Sequence, residues 1–173
     1  HFLSKELILD LIESPEELTY VGILDRFDWI TKHNSKLSIP QDDDIDNDIK
    51  QIEKVIKTLY KYDDSRLSDI QKSTKKIAIL DYENQLKELK DFQYLDYPLN
   101  QIGGIHLNTI EFMNSVHPIR SDSEAIAFIK RTDLVKDVYQ GVLNHLKKQA
   151  DNGIYPPEFV YGHVINQLDE FIN

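Results

Sequence analysis

Residues 45–60, Ile-Asp-Asn-Asp-Ile-Lys-Gln-Ile-Glu-Lys-Val-Ile-Lys-Thr-Leu-Tyr, decide the fold. Ile45, Ile49, Ile52, Ile56, Leu59 and Tyr60 recur at helical steps and share one face, with Lys and Asp opposite. Tyr62-Asp63-Asp64-Ser65 breaks the pattern. It then resumes through Leu67, Ile70, Ile77, Tyr82, Leu86 and Leu89 and ends near Asp91. Two long amphipathic helices with so short a break predict an antiparallel hairpin.

The same period extends outward on both sides. Leu3, Leu7, Ile8, Leu11 and Ile12 form a first apolar stripe. Ser14-Pro15-Glu16-Glu17 supplies a cap, a first-turn proline and acids for a second helix, which runs to about Gly22. Residues 25–40 read as irregular or short-helical, closed by Pro40. Downstream, 93–106 is a loop carrying Tyr94, Tyr97, Pro98, Gly103 and Gly104, and a short helix covers roughly Leu107 to Val116. Ser121 with Glu124 has capping-box spacing. Apolar residues continue through Ile126, Ile129, Leu134, Val138, Val142, Leu143 and Leu146, with Thr132-Asp133 as a candidate break into two helices. Gly153 is placed to end the second of these, and Pro156-Pro157 opens a last helix through Val160, Val164, Ile165 and Leu168. The expected fold is all-α: an irregular array of about six to eight helices, with residues 1–173 as a single helical segment. The last helix has no Gly, Pro or basic turn near Asn173, so the natural chain is expected to continue beyond it. On that expectation, Val164, Ile165, Leu168, Phe171 and Ile172 form an apolar face that a further part of the protein, or a second copy of the fragment, would cover.

Composition narrows the function. Of 173 residues, 40% are hydrophobic, enough to build a core, and the formal net charge is -10. That balance argues against nucleic-acid partners and against anionic lipid, which both need concentrated Lys and Arg. There is no cysteine, which excludes disulfides, thiol nucleophiles and Cys-ligated metal. No apolar run approaches the length of a membrane span. The first residue is His1, so any targeting peptide is expected to have been removed already.

Asp42, Asp44, Asp46, Ile49 and Glu53 fall on calcium-loop positions, but Asn47 replaces the turn glycine, Lys50 adds a cation and Pro40 stands where a helix should enter. The acids are better read as residues at a helix N-terminus. His1, His33, His106, His117, His145 and His163 include no pair at three- or four-residue spacing. His106 and His117 flank the short helix, with Glu111 between them, and no metal-site spacing supports a joint role. Asn100-Gln101-Ile102-Gly103-Gly104 is the best cleft candidate, because paired glycines allow close backbone approach or positive φ and the amides can read a peptide. The opposing reading is a structural turn in which Asn100 and Gln101 cap neighbouring helices. Phosphate-loop and Gly-x-Ser-x-Gly patterns are absent from the sequence.

Tyr97-Pro-Leu-Asn-Gln-Ile-Gly-Gly-Ile-His-Leu107, Val116-His-Pro-Ile119, Asn152-Gly-Ile-Tyr-Pro-Pro157 and Val164-Ile-Asn-Gln-Leu168 occur in this order, with Ser14-Pro15-Glu16 and Leu80-Asp81-Tyr82 upstream. Together they resemble the DUF885 family of helical, zinc-peptidase-like bacterial proteins. The resemblance implies a longer protein of which this is the N-terminal part. It further implies a peptide substrate, a zinc site on a downstream His-Glu-x-x-Pro-Gly-His-like motif, and a periplasmic or lipoprotein-anchored location in preference to the cytoplasm. No His-Glu dipeptide occurs in these residues, so the resemblance implies no catalytic residue and no cofactor in this chain. The substrate-cleft candidates are Asn100, Gln101, Gly103, Gly104, His106 and His117. The partner is a C-terminal catalytic part. The alternative is a non-enzymatic helical interaction or scaffold domain.

Overall fold

The computed structural model describes residues 2–24, 27–41 and 43–172. Its eight α-helices are α1 (Phe2–Glu13), α2 (Pro15–Val21), α3 (Asp28–Thr31), α4 (Asp44–Tyr60), α5 (Asp69–Asp91), α6 (Ile105–Glu111), α7 (Asp122–Asp151) and α8 (Glu158–Ile172). Among the described residues there is no strand, and no helix is long and apolar enough to cross a membrane.

The caps explain where helices start and stop. The Ser14 hydroxyl accepts from Glu17 N at 3.3 Å and opens α2, and Gly22 closes it in the left-handed conformation. Ser68 opens α5 with a full capping box: its hydroxyl accepts from Gln71 N, and Gln71 Oε1 accepts from Ser68 N at 2.9 Å. Ser121 caps α7, but the returning carboxylate of Glu124 takes Arg120 N at 2.5 Å, one residue before the cap. At the other end of α7, Ile154 N reaches Gln149 O and Gly153 N reaches Ala150 O, both at 2.9 Å. This is the Schellman pattern, with Gly153 at φ 73°.

α4 and α5 form the expected antiparallel hairpin. Lys90–Glu53 and Tyr60–Glu83 cross between the two helices in reversed order, and Lys75 reaches back to Asp64 in the turn that joins them. Ile52, Val55 and Leu59 of α4 are buried, whereas α5 buries no residue fully and leaves Ile70, Ile77 and Leu80 exposed. Asp44 and Asp46 sit in the first turn of α4, and Asp44 accepts from Gln41 N at 2.6 Å. Asp44 to Glu53 therefore lies on one continuous helix instead of curling into a calcium loop. Asp42, the first residue of that motif, lies outside the described residues, as do His1 and Asn173.

Three expectations are corrected. Thr132-Asp133 does not split α7, which runs unbroken for 30 residues. The Thr132 hydroxyl satisfies itself on Phe128 O at 2.9 Å, one turn back, so the residue stays helical. The short helix begins at Ile105, two residues before Leu107, and at Phe112–Val116 it widens to one π-helical turn. The last helix is only partly wet. Val160 and Val164 are core residues, Leu168 is half-buried, and Ile165 and Phe171 are exposed.

α7 is the spine of the molecule. Its buried face carries Ala127, Val138 and Val142, but also Arg131 and Gln149. Gly141 lies under the 37–41 segment, where a Cβ would meet Pro40 O at 2.5 Å, so only glycine lets that backbone cross the helix.

Candidate functional site

The segment 97–106 folds back on itself through its own polar groups. Asn100 Oδ1 accepts from Ile102 N at 3.0 Å and Gly103 N at 2.9 Å, while its Nδ2 donates to Tyr97 O. Ile105 N donates to Pro98 O at 2.8 Å and closes the loop. Asn100 is thus a turn-forming residue. Gly103 has open space around it, and neither it nor Gly104 takes the positive φ that was one of the expected reasons for glycine. Gly104 is there for close approach: a Cβ would come within 2.6 Å of Asn100 N and 2.7 Å of the His106 ring.

His106 is fully buried and pairs with the last helix. Its Nε2 lies 2.9 Å from Gln167 Oε1, and Gln167 Nε2 donates to Gln101 O at 3.1 Å. An amide oxygen requires a donor, so His106 Nε2 carries the proton and Nδ1 is an acceptor. Among the described residues Nδ1 has no hydrogen-bond partner. Gln101 enters this clasp through its carbonyl. Tyr97 OH adds a long contact to Tyr155 O at 3.4 Å. The loop tip faces outward, with Ile102 86% exposed.

His117 belongs to a second buried cluster. Its Nδ1 accepts from Arg131 at 2.8 Å and its Nε2 faces Glu124 O at 3.2 Å, which again fixes the Nε2-protonated tautomer. Arg131 has no exposed surface. Its guanidinium donates to Lys36 O at 2.6 Å, His33 O at 2.7 Å and the Thr19 hydroxyl at 2.9 Å, and it stacks over the Phe112 ring at 4.7 Å. One side chain thereby ties together α2, the 33–36 turn, the π-helical turn and α7. Outside this cluster, hydrogen bonds from the Arg120 side chain hold the Glu124 carboxyl below its usual range.

A third polar set anchors the entrance to the loop. The buried Gln149 donates to Tyr94 O at 2.8 Å and also to Asp96 O, while His145 Nε2 meets Asp96 Oδ1 at 3.0 Å. Arg131 and Gln149 were not among the sequence candidates. Each interrupts an otherwise apolar helical stripe, and that interruption was the available signal.

The candidates therefore divide. Asn100, Gln101, Gly104 and His106 come together with Gln167, Gly103 lies at their exposed edge, and His117 engages Arg131 instead. Zinc does not fit these residues: both His117 nitrogens are committed, and the His106 ring is packed against Gly104 and bonded to an amide. Among the described residues, no cluster of three His, Asp or Glu is arranged to hold a metal ion.

The sequence model of the family described as "Bacterial protein of unknown function (DUF885)" matches residues 15–173. No curated protein and no solved structure matches the chain. The matched span takes in the 97–107 and 164–168 segments, whose clasp through His106 and Gln167 has just been described, and the chain belongs to the DUF885 family.

Proposed function

We propose that this chain is the N-terminal, cleft-shaping helical part of a metal-dependent, peptidase-like hydrolase, and that it is inert alone. The observation that carries the reading is the clasped loop. Asn100 and Gln167 direct their side-chain polar groups, and His106 its Nε2, onto the loop and its clasp, while Ile102 and Gly103 are presented outward. A preorganised, exposed loop suits a wall that positions an extended peptide. The side chains that would do chemistry, and the zinc ligands, belong in this reading to a C-terminal catalytic part with a His-Glu-x-x motif.

The test has two arms. The isolated chain, assayed on a peptide library with added zinc, is expected to show no turnover that a chelator abolishes. In a full-length family protein, Ile102→Asp is expected to raise KM several-fold with kcat nearly unchanged. Chelator-sensitive hydrolysis by the isolated chain overturns the first statement, and an unaltered KM overturns the second.

A second reading, a non-enzymatic interaction domain, draws on one specific feature. Tyr20, Val21, Ile23, Phe27, Trp29 and Ile30 are all about half or more exposed within one short stretch. A parent reading frame that stops near residue 173, without the His-Glu-x-x motif, would favour it.

A further inference from the structure

Residues of α6, its π-helical continuation, α7 and α8 border a cavity of about 440 Å³. Met113 forms its buried floor, Phe128, Val135 and Tyr139 line it from α7, and Leu168 and Phe171 close it from α8. Its chemistry sets it apart. None of the ten lining residues is charged, in a chain where 29% of residues are. The larger cavities, about 600 and 520 Å³, are bordered by Asp44, Glu88, Asp96 and Lys148 and by Glu6, Asp10, Asp48 and Glu88 respectively.

We propose that this cavity is a binding site for one uncharged hydrophobic molecule, aromatic or aliphatic. Charge complementarity selects the ligand class. An ion entering here would lose hydration and find no counter-charge, whereas an apolar group gains from every square ångström it buries. The size falls within the range of small-molecule pockets, and two of the three helices that wall it, α6 and α8, are joined by the His106–Gln167 clasp. The π-helical turn at Phe112–Val116 is the second observation. Such turns insert one extra residue and cluster at functional sites, and this one supplies both Met113 at the floor and Asn114 at the rim. Met113 adapts its shape and favours aromatic neighbours. The Tyr139 hydroxyl, a neutral phenol whose pKa burial raises further from 10.0, offers a hydrogen bond to a ligand without adding charge.

The test exploits Met113, the only methionine in the chain. Carbon-13 methyl labelling of methionine gives one signal from the cavity floor. Titration with the neutral probe N-phenyl-1-naphthylamine is expected to be saturable, with one probe per chain, and to move that signal by ring current. Val135→Phe, which fills the cavity from α7, is expected to weaken binding at least tenfold, and Trp29→Ser, at the exposed patch, to leave it unchanged. Leu168→Phe serves as the filling variant from α8 should Val135→Phe lose helicity by circular dichroism. The anionic probe 1-anilinonaphthalene-8-sulfonate is expected to bind at least tenfold more weakly. The proposal is overturned by non-saturable binding, by saturation that leaves the Met113 signal unmoved, by Trp29→Ser abolishing the titration, or by equal affinity for the two probes.

Discussion

Arg131 shows how one residue can hold a fold that its neighbours only outline. Three backbone carbonyls or hydroxyls from distant segments, Lys36 O, His33 O and Thr19 Oγ1, converge on it with His117 Nδ1 in a region closed to water. Arg131→Met keeps the bulk and strands these acceptors. Each buried unsatisfied group costs about 1–3 kcal/mol, so a loss of roughly 3 kcal/mol or more is expected, read as a lower urea midpoint at constant slope. Arg131→Lys keeps the charge but not the planar fork, and is expected to recover only part of that loss. The glycine pair offers a sharper contrast. Gly104→Ala forces a methyl group into Asn100 N and the His106 ring and is expected to cost about 1–3 kcal/mol. Gly103→Ala meets nothing within 4 Å and is expected to stay within about 0.5 kcal/mol of the parent. Equal effects of the two changes would refute the close-approach account. At this scale the sequence named the loop, but not which glycine was needed. That depends on how the loop turns Asn100 N and the His106 ring onto residue 104, a local backbone geometry that the residue types alone do not set. Arg131 marked itself only as a break in an apolar stripe: an arginine on a helix is ordinarily solvated, and only the groups gathered from elsewhere explain its burial.

Among the elements, the caps and apolar periods were legible because they are local. Ser14 and Gly22 delimit α2 as read, and the hairpin α4–α5 forms where the period breaks at residues 62–65. The errors fell where local preference met packing. Thr132-Asp133 looked like a break, yet α7 is held helical by contacts along its whole buried face. Electrostatics within α4 yields a further expectation. Burial, reinforced by Asp44, Glu13 and Asp10, raises the Asp48 pKa above its ordinary 3.8. An acid raised in the folded state supports folding when protonated. That support is complete below the unfolded value and is lost as pH rises through the raised one. Asp48→Asn stays neutral throughout, so its urea midpoint is expected to exceed the parent's near pH 7 and to converge with it below about pH 3. A variant less stable than the parent at neutral pH would mean that Asp48 makes a favourable contact which outweighs the repulsion.

The whole molecule carries more apolar surface than its fold consumes. α5 buries nothing fully, and the stretch from Tyr20 to Ile30 exposes three aromatic and three aliphatic side chains. Fully burying any one of them is worth about 1.5–3 kcal/mol, and aromatic side chains are the usual anchors of interfaces. The apolar face on α8 is narrower than expected, because Val164 is already spent on the core and Leu168 is half-buried. Any association of this chain is therefore expected to run through the 20–30 stretch in preference to α8. Trp29, the only tryptophan, reports on it directly, being 74% exposed. In dilute solution acrylamide is expected to quench its fluorescence nearly as freely as that of a small tryptophan amide. As concentration rises, quenching is expected to fall in step with a rising sedimentation coefficient. Trp29→Glu, followed by sedimentation alone, is expected to abolish the concentration dependence, and Ile165→Glu to leave it in place. If Ile165→Glu disperses the chain while Trp29→Glu does not, the contact surface lies on α8 and the preference argued here is wrong.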